Sequence, residues 1–155
     1  MRLEDQKKEI WEEYDKFKAD YECSLKHNKP FSVMVTEIMD EKGITIEKLS
    51  EKSAISVSTI NRLRSGVIKN KYGEEVEYLP FTNTIVAFCI ACDVDMLMTI
   101  TLLESLGLSF KRTSEVQYAY CYLIINCRGK TIDECNKVLE NLNIDEKYFL
   151  TNRLV

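Results

Sequence analysis

Apolar positions recur three and four residues apart along most of the chain, a spacing that predicts helices. Between residues 3 and 27, Ile10, Tyr14, Phe17 and Tyr21 are separated by four, three and four, Leu3 and Leu25 extend the stripe, and Pro30 closes the segment. The stripe favours a helix packed on its own domain over a dimerisation arm, because it is aromatic and too irregular for a heptad seam. A second helix is predicted from Ser32 to Lys42, with Val35 and Ile38 inward and Gly43 as its stop. Two short helices and a tight turn fill residues 43 to 66. Thr45 caps the first, whose inward positions are Ile46, Leu49 and Ser50, and the small Ala54 permits the turn. Ser56 caps the second, which sets Ile60 and Leu63 on one stripe and Ser58, Asn61, Arg62 and Ser65 on the other before Gly66.

Beyond Gly66 the sequence VIKNKYGEEVEYLPF breaks the helical pattern with β-favouring residues and predicts an extended loop or small hairpin about Tyr72-Gly73. Thr82 or Asn83 then caps a helix to Cys92, and Asp93 or Asp95 another to Leu106, ahead of Gly107. Ser114 opens a strongly apolar helix ending near Gly129. Thr131 with Glu134 forms a capping box for a helix offering Ile132, Cys135, Val138, Leu139 and Leu142 to a core, and a short helix follows from Glu146 to Asn152. Tyr118, Tyr120 and Tyr122 alternate around their helix, which suits core and interface packing better than base stacking. GITIEKLS at 43 to 50 echoes GKTIDECN at 129 to 136, and NRL at 61 to 63 recurs at 152 to 154; shared capping chemistry accounts for this more simply than a duplicated motif. The expected fold is all-α, organised as an N-terminal amphipathic helix (1–30), a central domain (31–110) and a C-terminal helical module (111–155).

Composition narrows the function. A 155-residue chain with 45 % hydrophobic residues supports a real core. No apolar run approaches the roughly 20 residues that span a bilayer, and MRLEDQKKEIWEEYDKF is too charged for a signal peptide, so the expected location is cytoplasmic and away from membranes. The net charge of −4 argues mildly against nucleic acid. Its distribution is uneven, however: residues 1–31 are −1, residues 32–72 are +2 and residues 73–155 are −5. The basic excess coincides with the two short helices. Six cysteines without a secretory signal read as reduced thiols, and Cys89-x-x-Cys92 lies on an apolar helix with Ile85, where buried cysteine acts as a small hydrophobe. Neither a metal nor another cofactor is expected. His27, the one histidine, sits in LKHNKP as a surface residue near a helix end, and no catalytic constellation or phosphate loop accompanies it, so the chain does not read as an enzyme.

A short polar helix held across a tight turn on an apolar scaffold suits the DNA major groove. From Val33 to Leu106 the chain resembles the lambda-repressor-like, Cro/XRE family of helix-turn-helix transcriptional regulators. The resemblance is carried by Val35, Ile38, Gly43, Thr45, Leu49, Ile55-Ser56, Ser58-Thr59-Ile60, Leu63 and Gly66, with Ile85, Cys89 and Cys92 where the family buries Leu, Ala and Leu. It implies a five-helix domain whose recognition helix, 56–65, reaches base edges through Ser56, Val57 and Ser58, with Arg62 one turn on. Arg62 is the main specificity candidate, because a guanidinium donates two bonds to guanine O6 and N7, whereas Val57 offers only a thymine-methyl contact or packs inward. Thr59, Asn61, Lys69 and Lys71 are expected on phosphates. The family's usual Gln is Ile46 here, which removes one phosphate contact. Its Arg–Glu pair becomes Met39 and Arg64, which frees Arg64 for phosphate or for Asp40, phosphate being preferred. Glu74, Glu75 and Glu77 would be repelled by phosphate unless their loop points away. Residues 113–155 resemble more loosely the C-terminal part of some bacterial regulators, implying a packing or oligomerisation module through which a protein partner could bind.

The expected function is therefore a sequence-specific regulator that binds double-stranded DNA as a homodimer. The alternative is a protein-interaction module, antitoxin-like or a mobile-element accessory factor, that keeps the fold with weak or no DNA binding.

Overall fold

Most helices begin where a side chain takes up an amide that the helix itself leaves unpaired. In the computed structural model, which describes residues 2–24, 29–111 and 113–151, Thr45 Oγ1 accepts from Lys48 N (3.1 Å) to open α3 (Ile46–Ser53), and Ser56 Oγ accepts from Thr59 N (3.2 Å) to open α4 (Val57–Ser65). The helix expected at 56–65 thus starts at Val57, with Ser56 as its cap. Asp95, not Asp93, caps α6 (Met96–Ser105), Ser114 caps α7 (Glu115–Asn126) and Thr131 caps α8 (Ile132–Asn141). The caps at Thr45 and Thr131 share their geometry, each oxygen 3.1 Å from the amide three residues on, as shared capping chemistry requires. Upstream lie α1 (Leu3–Ser24) and α2 (Phe31–Lys42), the latter ended by Gly43 in the left-handed region with Ile44 N bonded back to Met39 O.

One capping expectation fails. α5 (Thr82–Ala91) starts from Phe81 without a side-chain cap, and Asn83 instead donates from Nδ2 to Phe149 O at 3.1 Å. A bond to a segment 66 residues away has taken the side chain that local chemistry would use. α5 is apolar around its whole circumference, with Ile85 to Ile90 all buried, and it packs against α3, α6, α7 and α8. One hydrophobic cluster consequently runs from Phe31 through Leu49, Ile60, Leu63 and Phe88 to Leu123, Leu139 and Leu150.

The chain is mostly helical, but the segment after Gly66 adds a small antiparallel hairpin, β1 (Val67–Lys69) and β2 (Glu75–Glu77). Asn70 organises its turn, its Oδ1 accepting from Tyr72 N and Glu74 N, while Gly73 supplies a φ of +76°. Where a helix was expected from Glu146, the described residues form a 3₁₀ turn, Glu146–Tyr148, and Asn152 lies outside them; Leu150 is buried and Leu142, expected in the core, is half exposed. Tyr120 is buried and its OH donates to Tyr148 O, whereas Tyr118 and Tyr122 face outward. The expectation that α1 packs on its own domain is overturned: every side chain described from Leu3 to Asp20 is exposed. Leu25, His27 and the second NRL lie outside the described residues.

Candidate nucleic-acid interface

The turn between α3 and α4 is fastened by two serines. Ser53, fully buried, donates to Leu49 O (2.6 Å) and accepts from Ile55 N (3.1 Å), and Ser50 donates to Ile55 O (2.7 Å). Both polar groups of the Ile55 backbone are thereby satisfied inside the turn, where water would otherwise be needed. Ala54 takes the left-handed conformation (φ 60°), with its N–H on Ser50 O. Of these residues only Ser53 escaped the sequence reading; its position just before the turn was the available signal.

α4 is held by Ile60 and Leu63, both fully buried between α2 and α3. The opposite face carries Val57, Ser58, Asn61 and Arg62, all exposed, with Thr59 half-buried. Ser56 is exposed as well, but its hydroxyl accepts from Thr59 N, donates to Thr59 Oγ1 (2.9 Å) and lies 3.2 Å from Ser58 Oγ. At the other end Gly66 closes α4 at φ 75°, and a Cβ there would come within 3.1 Å of Ser32 Oγ on α2. The α2–α4 approach therefore depends on that glycine.

With two helices across a serine-stapled turn, a polar outward face on the second and a further buried helix behind them, residues 34–96 match the family model described as a Cro/C1-type HTH DNA-binding domain. The match spans about two-fifths of the chain. Comparison with curated proteins gives no match. Comparison with solved structures gives none either.

Within the matched segment the two arginines of α4 have different settings. Arg62 is exposed and close enough to the half-buried Tyr78 to oppose the upward push that burial gives its phenol. Arg64 is half-buried on the inward flank, and its Nε is buried without a hydrogen-bond partner among the described residues. It borders a cavity of about 280 Å³ lined by Met39, Asp40, Ile44, Thr45, Ile46 and Glu47, beside the N-terminus of α3. No ion pair joins Arg64 to Asp40 among the described residues. On the hairpin, Lys69 stands directly across from Glu75, and Lys71 extends over the Tyr72 ring, its Nζ 5.1 Å from the centroid. Both lysines are exposed, and Lys69 shares its face of the ribbon with an acid.

Cys89 and Cys92 sit in the core behind the motif. Burial pushes the Cys89 thiol up to about 12, against a lowering hydrogen bond from Thr99, and burial pushes Cys92 to about 12 against Lys42 and Lys52. These are packing thiols, protonated and shielded, whereas metal ligation and redox chemistry need the thiolate. A thiol that is harder to ionise when folded stabilises the protein while neutral; that contribution is complete below the unfolded value of 9.0 and is lost as pH rises toward 12. Iodoacetamide at neutral pH is expected to modify Cys89 and Cys92 only after denaturant unfolds the chain, and peptide mapping checks it. Rapid alkylation of either in the native protein would contradict the packing assignment.

Proposed function

We propose that this chain is a sequence-specific, non-enzymatic transcriptional regulator that binds double-stranded DNA as a homodimer, with α4 in the major groove. The observation that carries the reading is the exposed polar face of α4, with Arg62 at its centre, on a Cro/C1-type domain. Arg62 reads a guanine; Ser58 and Val57 contribute weaker contacts to neighbouring base edges. Ser56 belongs to the same group but has its hydroxyl committed to the cap, so its share in reading is small. Thr59, Asn61, Lys69 and Lys71 serve as phosphate contacts, with Lys69 weakened by Glu75 opposite. Arg64, next to the amide end of α3 and with an Nε that has no hydrogen-bond partner among the described residues, supplies a phosphate contact in place of the one lost at Ile46.

Selection from random duplex DNA by the purified full chain tests this directly. The expected outcome is a pseudo-palindrome with half-sites about 34 Å apart, bound with an affinity that falls steeply with salt. Absence of any enriched sequence at low salt would remove the proposal.

A second reading, a protein-binding module, is supported by α7, where Tyr118, Tyr122 and Ile125 form an exposed stripe at helical spacing. It calls for a stable protein partner whose binding survives Arg62→Ala and is lost on Tyr122→Glu.

A further inference from the structure

We propose that α1 pairs in parallel with the α1 of a second copy of this chain as a two-stranded coil; its functional meaning, as the source of the DNA-binding dimer, rests on the reading above. Leu3, Ile10, Trp11, Tyr14 and Phe17 are each between 51 % and 68 % exposed, and Trp11 packs edge-on to Tyr14 with ring centroids 5.6 Å apart. A 22-residue helix with its apolar stripe in water is marginally stable, and covering that stripe stabilises it directly.

The occupant is indicated by spacing and charge. With Lys7 counted, positions 3, 7, 10, 14 and 17 are separated by four, three, four and three, the alternation of a two-stranded seam. Among the seam positions from 3 to 17 Lys7 is the single polar residue, and one such residue at a core position sets register and strand number at some cost in stability. Trp11 flanks the seam. Glu13 and Lys18, five apart, flank it on opposite sides, so that in a parallel pair each Glu13 meets the other copy's Lys18, giving two attractive pairs by symmetry. An antiparallel pair would instead set Glu13 against Glu13. At the observed exposures the four apolar seam side chains and the flanking Trp11 offer roughly 100 Å² each, so full coverage in two copies gives about 1,000 Å², at the threshold for a specific interface. A parallel pair also leaves both helix-turn-helix domains at the same end of the coil, with the two-fold axis running along it.

Sedimentation velocity on the full chain tests the pairing without DNA. The wild type is expected to be dimeric at micromolar concentration, and Ile10→Glu monomeric with an unchanged thermal transition of the remaining helices. Glu13→Lys and Lys18→Glu should each weaken the dimer about tenfold, and the double exchange should restore it to within about twofold. A monomeric wild type, a dimer that survives Ile10→Glu, a tighter dimer in Glu13→Lys, or a double exchange that does not restore would each overturn the proposal. A dimer that binds no DNA would remove the regulator reading and leave the pairing intact. A monomer that enriches a single half-site would do the reverse.

Discussion

Phe88→Ala is expected to destabilise the protein by about 3–5 kcal/mol, the usual cost of emptying a buried aromatic site. Phe88 has no exposed surface and lies at the middle of α5, the helix that touches α3 of the helix-turn-helix as well as α7 and α8. The loss should therefore appear in one cooperative transition that melts the helix-turn-helix and the C-terminal helices together. Denaturant unfolding followed by far-UV circular dichroism and by peptide-mapped labelling of the buried Cys135 thiol, the reporter from α8, measures both the midpoint and the coincidence of the two signals. Coincident signals would mean that residues 31–110 and 111–155 unfold as one unit. Separated transitions, or a loss near 1 kcal/mol, would show that α5 does not join them in the way its packing implies.

Arg62→Ala is expected to lower affinity for a selected site by about 1–3 kcal/mol, a factor of roughly 10 to 150, while nearly equalising the four bases at one position of each half-site. The cost to stability should be small, because the side chain is exposed and Ile60 and Leu63 hold the helix without it. Lys69→Ala supplies the contrast: it should weaken all sequences alike, and only slightly, because Glu75 across the ribbon already competes for its charge. Binding titrations against single-base variants of the site separate the two behaviours. If Arg62→Ala weakens every variant equally, Arg62 touches phosphate and the reading of bases falls to Ser58 and its neighbours.

These expectations rest on features that differ in how far sequence alone reaches. The helix-turn-helix is legible because its signals are local: Thr45 and Ser56 cap, Ala54 turns, Gly66 stops, and Leu49, Ile60 and Leu63 repeat at helical spacing. Each of these acts within one or two turns of backbone, where the residue types themselves fix the outcome. The exposed face of α4 follows from the same periodicity, so Ser58, Asn61 and Arg62 could be singled out before any coordinates. The thiols of Cys89 and Cys92 were assignable to packing for that reason too.

Other features have no local signature. Asn83 looks like a cap by type, yet Phe149 lies close enough in space to claim it. Thr151 donates to Ser53 O across 98 residues, tying the C-terminal segment to the motif's own turn, and Asn136 exchanges hydrogen bonds with Leu150. Leu142 has the right spacing for the core but is left half exposed at the end of α8. For α1 the stripe was visible, but only the surrounding structure shows that the chain leaves it in solvent. By itself the sequence determined most of the helices and their caps, the helix-turn-helix at 43–66 and the face of α4 turned outward. The tertiary structure decided how α5 joins the motif to the C-terminal helices, where Arg64 is lodged and which apolar stripes stay exposed, because these depend on which distant surfaces meet, and no spacing within a single helix encodes that.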